Sequence, residues 1–346
     1  MPEEALKRAQ KELLCYGDTG ISVMEMSHRT PMFEEILAAT KAKLRELLSI
    51  PENYEILLIQ GGATLQFASI PMNLMDGGCA DYAVTGNFSS IAAQEAKKYG
   101  EVHLACDTTA TGHKDIPQQS ELNITKGAKY FYYCANNTAF GTEWNYIPEA
   151  EAPLVCDMSS DILSKPVDVS KYGIIYAGAQ KNMAPAGLTV VIIDRKLAGR
   201  EMAITPKILS YQNLIRTDSL LNTPPCWCIY MLGLVLDWLK TQGGVEGMEK
   251  LKKARASKVY DVLDNSSFYI PRAHVEARSD MNVTFCCPSK ELDAEFVKEA
   301  AAQGLINLKG HKVAGGIRAS LYNAMPMEGV DRLVSFMKEF EVRHHV

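Results

Sequence analysis

The chain is predicted to be an α/β protein: a large domain with a mostly parallel sheet flanked by helices, then a smaller C-terminal α+β domain. Three observations carry this. Short apolar runs alternate with helix-patterned stretches through the first two-thirds of the sequence. Those runs are apolar at successive positions, as in strands buried on both faces. After Pro224-Pro225 the order changes to two long helices and then short strands.

The elements follow in order. Pro2-Glu3-Glu4 opens a helix that ends near Tyr16-Gly17-Asp18. Pro31 starts a second through Phe33, Ile36, Leu37, Leu44 and Leu47-Leu48, since proline is tolerated in a first turn. Glu55-Ile56-Leu57-Leu58-Ile59 is a buried strand that runs through Gln60-Gly61-Gly62-Ala63-Thr64 into a helix carrying Phe67, Ile70 and Leu74. Strand Tyr82-Ala83-Val84, helix 88–99, strand Val102-His103-Leu104 and strand Tyr130-Phe131-Tyr132-Tyr133 come next. Leu154-Val155-Cys156, Gly173-Ile174-Ile175-Tyr176 and Leu188-Thr189-Val190-Val191-Ile192 complete the large sheet. Helices at about 226–240 and 245–264 lead to strands near 267–270 and 282–287, a helix near 291–303, strands at 306–308 and 315–321, and a last helix from about 327. The boundary falls in 240–245, giving units 1–242 and 243–346.

The 346 residues are 47% hydrophobic and 22% charged with a net charge of −5, ordinary values for a globular protein. No basic run offers itself to nucleic acid. No apolar stretch reaches the length of a membrane span, and residues 1–14 read as an amphipathic helix, not a signal peptide. The nine cysteines are scattered, with Cys286-Cys287 adjacent, and form neither zinc knuckles nor a disulfide framework. Reduced thiols in a cytoplasmic protein are the simplest reading.

The most informative stretch is Tyr176-Ala177-Gly178-Ala179-Gln180-Lys181-Asn182. It puts a lone lysine where a strand runs out into a small-residue turn. Val155-Cys156-Asp157-Met158 ends a neighbouring strand in an aspartate, 24 residues earlier. That spacing leaves room for one connection and one more strand, so both side chains meet at one sheet edge. A lysine that forms a Schiff base and an aspartate that holds a pyridinium nitrogen are the two fixed requirements of a pyridoxal phosphate (PLP) enzyme. Taken singly, each has a commoner explanation: a solvated loop lysine, and a turn or N-cap aspartate. Gly61-Gly62-Ala63-Thr64 lies at a strand-to-helix junction whose free N–H groups suit a phosphate, though glycines also serve tight turns. It lacks the Lys-Ser/Thr of a nucleotide loop and the three-glycine dinucleotide pattern, which ranks a nucleotide-binding domain low. Ser27-His28-Arg29-Thr30-Pro31, Lys309-Gly310-His311-Lys312 and Gly315-Gly316-Ile317-Arg318 gather two histidines, two arginines and two lysines in an acidic chain. They point to a small molecule with two or three negative charges. His103, His113, His274 and the His344-His345 tail show no partner in the pattern and read as structural or solvated.

Together these motifs resemble the phosphoserine aminotransferase family, in class V of the fold-type-I PLP enzymes. The likeness is carried by Met26-Ser27-His28-Arg29, Gln60-Gly61-Gly62-Ala63, Asp157-Met158-Ser159-Ser160-Asp161, the Tyr176–Asn182 stretch, Leu221-Asn222-Thr223-Pro224-Pro225 and 309–324, in the family's order over nearly the whole chain. The resemblance implies that Lys181 carries PLP, that Asp157 holds the pyridine nitrogen, and that Thr138 reaches the ring's phenolic oxygen. It implies that Gly62, Ala63 and Gln180 bind the cofactor phosphate, with Asn222 and Thr223 reaching the phosphate of the neighbouring subunit in a homodimer. Arg318 would take the substrate α-carboxylate. His28, Arg29, His311 and Lys312 would take the far acidic group, some of them across the dimer. The implied reaction exchanges an amino group between phosphoserine/3-phosphohydroxypyruvate and glutamate/2-oxoglutarate in serine biosynthesis. A phosphorylated threonine analogue in vitamin B6 synthesis stays open.

Three departures stand out. Phe88 sits where the family has a tryptophan on the PLP ring. Lys312 replaces an arginine, keeping charge and losing the fork. The chain opens at the family's first helix, so the short Gly-Pro segment before it is either trimmed from this sequence or dispensed with, leaving that side of the site more open. The alternatives are another class V enzyme, such as alanine–glyoxylate aminotransferase or a cysteine desulfurase, and a non-catalytic PLP-binding homologue. The paired His-Arg and His-Lys motifs disfavour small neutral substrates.

Overall fold

The computed structural model describes residues 1–344, so His345 of the tail lies outside the described residues. Helices α1 (Glu3–Glu12) and α2 (Pro31–Leu47) precede strand β1 (Tyr54–Ile59). Then come α3 (Gly62–Leu74), β2 (Cys79–Val84), α4 (Asn87–Ala96), β3 (Glu101–Asp107) and β4 (Phe131–Cys134). A small hairpin, β5 (Asn136–Asn137) and β6 (Thr142–Glu143), leads to β7 (Leu154–Asp157), β8 (Ile174–Gly178) and β9 (Thr189–Asp194). Helices α5 (Tyr211–Arg216), α6 (Cys226–Thr241) and α7 (Gly244–Asp264) follow. The chain closes with β10 (Ile270–Pro271), β11 (Asn282–Cys286), α8 (Lys290–Ala302), β12 (Ile317–Ser320) and α9 (Met327–His344).

Seven strands form one sheet in the order β1-β9-β8-β7-β4-β2-β3. The pairs from β8 to β3 are parallel. β9 pairs antiparallel with both β8 and β1, so it alone runs the other way. The mostly parallel sheet expected from sequence is the sheet observed.

Both faces are covered, which is why the strands are apolar at every position. Leu58, Tyr133, Cys156, Ile175 and Val190 pack with Phe33 and Leu44 of α2 and Ile229 and Leu236 of α6. Leu57, Tyr132, Val155, Tyr176 and Val191 pack on the other side with Phe67 and Ile70 of α3 and Ala92 and Ala96 of α4. A third core gathers Val259, Phe285, Phe296, Ile317, Phe336 and Phe340 around the three-stranded sheet β10-β11-β12.

Two strand expectations need correction. The strand expected at 267–270 shrinks to Ile270–Pro271. Ser266 Oγ accepts from the N–H groups of Phe268 and Tyr269, 3.0 Å each, which removes those donors from the ladder. No strand forms at 306–308. Asn307 turns to φ 63°, and the segment keeps a single bridge, Lys309 to Ile317. The histidines expected to lack partners have them. His103 and His113 meet Thr125 and Thr108 through Nδ1 at 3.3 and 2.9 Å, His274 pairs with Asp115, and His344 Nδ1 donates to Phe340 O. All nine thiols are free, and Cys134, Cys156, Cys228 and Cys287 are buried. Among the described residues no helix is long and apolar enough to cross a membrane.

Polar contacts join the third core to the large sheet. Asn136 Nδ2 donates to Asn282 Oδ1 at 2.8 Å and to Ser160 Oγ at 2.7 Å, while Ser279 Oγ donates back to Asn136 Oδ1 at 2.5 Å. Buried Glu143 takes Lys165 Nζ at 2.6 Å and Lys252 Nζ, from α7, at 3.0 Å.

Candidate active site

The C-terminal ends of the parallel strands form one edge of the sheet, where α/β folds bind ligands. Asp157 ends β7, opposite Tyr176 on β8 and Cys134 on β4. Three residues past β8 stands Lys181, in a turn closed by the N–H groups of Met183 and Ala184, both donating to Ala179 O at 2.9 Å. Asn182 clamps that turn. Its Nδ2 donates to Ile162 O at 2.9 Å, and its Oδ1 accepts from the Asn323 N–H at 3.1 Å.

Lys181 is half-buried, and its Nζ donates to Thr138 Oγ1 at 2.8 Å. The same amine stands 5.5 Å from the centre of the Phe88 ring. Phe88 lies in the first turn of α4, and its ring meets His311 edge-on at 6.0 Å. Arg318, on β12, reaches over so that a guanidinium N–H donates to Thr138 O at 3.4 Å. Its buried Nε has no partner among the described residues. Burial lowers the His311 pKa, and the charges of Arg318, Lys312 and Lys181 lower it further.

Asp157 is 4% exposed. Its Oδ1 accepts the Ser159 N–H at 2.8 Å and its Oδ2 accepts the Tyr176 hydroxyl at 3.0 Å. Ser159 Oγ also accepts the Gly178 N–H at 3.0 Å, locking the ends of β7 and β8 together.

On the same edge, β1 leads through Gly61 into the start of α3, with Gly62 and Ala63 in its first turn. Gly61 has φ 99°, and a Cβ there would lie 2.2 Å from Leu65 Cδ2, so the turn admits only glycine. No side chain caps α3, which leaves its first N–H groups to a ligand or water. Gln180 is exposed on the lysine turn. Asn222 and Thr223 are also exposed and bond to Gln60: Asn222 Nδ2 donates to Gln60 Oε1 at 3.2 Å, and Gln60 Nε2 to Thr223 O at 2.5 Å.

The structure thus joins Lys181, Thr138, Phe88, His311 and Arg318, with Asp157 on the adjoining strand. It does not join them all. No hydrogen bond or ion pair among the described residues links His28, Arg29, Asn222 or Thr223 to Lys181. Lys312 is exposed beside His311. Sequence reasoning missed Ser159, Tyr176 and Asn182 as partners of the site. The tyrosines were read as apolar strand residues, although four aromatics in a row with buried hydroxyls demand polar partners.

The donor set suits the PLP expected from sequence. An amine faces an aromatic ring, a buried carboxylate keeps two donors, an uncapped helix start lies on the same edge, and an orphaned Arg318 Nε remains for an anion.

Comparison with known proteins agrees. The aminotransferase class-V family model matches residues 1–333. The phosphoserine aminotransferase of Laribacter hongkongensis is 49% identical over 346 residues, covering 99% of this chain and 96% of that one. The solved phosphoserine aminotransferase from Bacillus circulans subsp. alkalophilus superposes with a TM-score of 0.97 at 43% identity, over 99% of this chain and 96% of its own. A PLP-bound phosphoserine aminotransferase from Trichomonas vaginalis gives 0.95 at 37%, over 98% and 97%.

Proposed function

The chain belongs to the phosphoserine aminotransferases of class V, and on that premise we propose how its residues carry out the family's reaction. It is a PLP-dependent transaminase that exchanges an amino group between phosphoserine/3-phosphohydroxypyruvate and glutamate/2-oxoglutarate, a step of serine biosynthesis. The observation that carries the residue assignment is Lys181 held by Thr138 at the sheet edge where buried Asp157 ends the next strand.

Lys181 Nζ would hold the cofactor covalently, Asp157 would face its ring nitrogen, and the first N–H groups of α3 at Gly62 and Ala63, with Gln180, would take its phosphate. When bound, the cofactor supplies an electron sink for the bond broken at the substrate α-carbon. Asp157 would face the ring nitrogen with its carboxylate, and Lys181 Nζ would accept the substrate α-proton. Phe88 offers its face to the ring. Arg318, already beside Thr138, would pair with the substrate α-carboxylate.

His311 and Lys312, with His28 and Arg29, would take the distal phosphate or carboxylate. His311 is kept neutral by burial and by three cations; an incoming dianion reverses that balance and favours its protonation. His28, Arg29, Asn222 and Thr223, none of them hydrogen-bonded to Lys181 within the chain, would serve the neighbouring subunit of a homodimer. A cytoplasmic setting belongs to the same reading. So does a division of the chain at 242/243, supported by a third core drawn wholly from residues beyond it.

The test is a coupled assay with phosphoserine and 2-oxoglutarate on the protein and on Lys181→Ala. Activity is expected in the first and loss of turnover in the second. Equal rates would remove Lys181 from the reaction.

A further inference from the structure

We propose that Tyr176 and Tyr132 form a buried hydroxyl relay that positions the Asp157 carboxylate, which makes both tyrosines positioning residues for the reaction. The proposal rests on the function stated above and extends it to two side chains that sit behind the carboxylate, within the sheet.

The relay spans three adjacent strands. Tyr176 on β8 is the register partner of Asp157 on β7, and Tyr132 stands on β4 opposite Val155. The Tyr176 hydroxyl lies 3.0 Å from Asp157 Oδ2, and the Tyr132 hydroxyl lies 2.8 Å from that of Tyr176. The direction of donation is forced. An ionised carboxylate only accepts, so the Tyr176 O–H points at Oδ2. Its oxygen is then left to accept from Tyr132. Each hydroxyl polarises the next in a medium where water does not compete.

Tyr176 is 0% and Tyr132 1% exposed. Phenylalanine would fill both places, so packing alone does not explain two phenols aimed in sequence at one carboxylate. Burial pushes both phenols well above their ordinary range, and the Asp157 charge adds to it. They therefore stay neutral donors. Besides the two phenols, Cys134 on β4, Cys156 on β7 and Asp161 in the turn after β7 feel the Asp157 charge. The carboxylate is fixed on both oxygens, by the Ser159 N–H on Oδ1 and the Tyr176 hydroxyl on Oδ2.

The experiment uses full-length Tyr176→Phe, Tyr132→Phe, Asp157→Asn and the double variant Tyr176→Phe/Asp157→Asn. It reads the PLP dissociation constant, the pH at which the visible band of the loaded protein titrates, kcat and KM for phosphoserine, and melting of the PLP-free protein. Losing a hydrogen bond to a charged group predicts roughly ten- to thirtyfold weaker PLP binding and lower kcat for Tyr176→Phe. Its KM should change by less than about twofold, because the substrate contacts are untouched. The titration of the visible band should move to higher pH, since a ring nitrogen that loses its proton leaves the lysine-derived nitrogen more basic. Tyr132→Phe should move the same readouts in the same direction by roughly two- to fivefold, with melting unchanged. In the Asp157→Asn background Tyr176→Phe should add little.

A Tyr176→Phe protein with wild-type PLP affinity, kcat and band titration would overturn the relay, and so would equal damage in both backgrounds. Were Tyr176→Phe not to fold, Tyr132→Phe decides by the same readouts. Failure of the unaltered protein to take up PLP through Lys181 would instead sink the function itself, a result visible before any tyrosine is changed.

Discussion

Replacing Glu143 by glutamine removes the negative charge on which buried Lys252 and half-buried Lys165 converge. Glu143 is 7% exposed and Lys252 only 2%. Lys165 Nζ lies 2.6 Å and Lys252 Nζ 3.0 Å from the same oxygen, while Asp280, at 3.8 Å, is the only other carboxylate paired with Lys252 among the described residues. Each close contact is worth about 5 kcal/mol of attraction at an effective dielectric of 20. That is set against the desolvation of all three groups, so the intact trio adds little net stability. Removing one partner is different, because Lys252 stays buried with its charge and Lys165 stays half-buried beside it. Glu143→Gln is therefore expected to lower the unfolding free energy by about 3–5 kcal/mol, read from urea denaturation followed by circular dichroism. Lys252→Met should cost less, since Glu143 keeps Lys165. Adding Lys252→Met to Glu143→Gln should recover part of the loss, because one stranded charge disappears. A Glu143→Gln protein within about 1 kcal/mol of the parent, the range of an exposed pair, would refute the view that this trio is desolvated. So would losses that simply add in the double variant.

Two further outcomes are expected. Burial pushes the Asp161 carboxyl from an ordinary 3.8 up to about 7, with Lys165 and Lys252 opposing and Glu143 and Asp157 adding to the rise. A raised carboxyl contributes stability that is present at low pH and is lost as pH rises from about 4 to about 7, about 4 kcal/mol at most. Asp161→Asn should flatten the pH dependence of the denaturation midpoint over that window, and an unchanged slope would contradict the assignment. Arg272 donates to Ala314 O in the loop that carries His311 and Lys312. Arg272→Ala should raise KM for phosphoserine roughly three- to tenfold with a smaller change in kcat, as expected when binding groups lose their placement; steady-state kinetics with an unchanged KM would show that the loop holds its place without the arginine.

The order of elements in the large sheet was legible because strands covered on both faces are continuous apolar runs, and the first two, β1 and β2, are each followed by a helix of different period. Direction was not legible. Nothing in Thr189–Asp194 distinguishes a reversed strand from a parallel one, since both bury every residue. The small unit was read less well. Ile306-Asn307-Leu308 looks like strand, yet the chain must turn there. Gly310 closes so tightly that a Cβ would lie 1.9 Å from Gly315 O. Lys181 and Asp157 were legible as a pair because strand spacing predicts their meeting. Thr138 came only through family likeness, since one threonine after a strand carries no signal. Tyr176 was hidden by its own strand pattern: the periodicity that marks it as buried says nothing of the carboxylate beside it.

The way the two halves of the site are joined has its own consequence. Lys181 and Asp157 ride on the large sheet and Thr138 on the β5–β6 hairpin, whereas Arg318, His311 and Lys312 ride on β12 and the loop before it. The contacts that carry one set to the other are polar: Arg318 to Thr138 O, Asn282 to Asn136, Asn323 to Asn182 and Lys252 to Glu143. Apolar packing is non-directional and tolerates sliding, while hydrogen bonds hold both distance and angle. The separation between the lysine and the arginine is therefore set by buried amides and charges rather than by the three apolar cores. Damage to those bonds should shift Arg318 relative to Lys181 and weaken substrate binding first. The groups proposed to hold the cofactor, among them Asp157, Lys181, Gln180 and the start of α3, lie outside β12 and its loop, so cofactor binding should survive it.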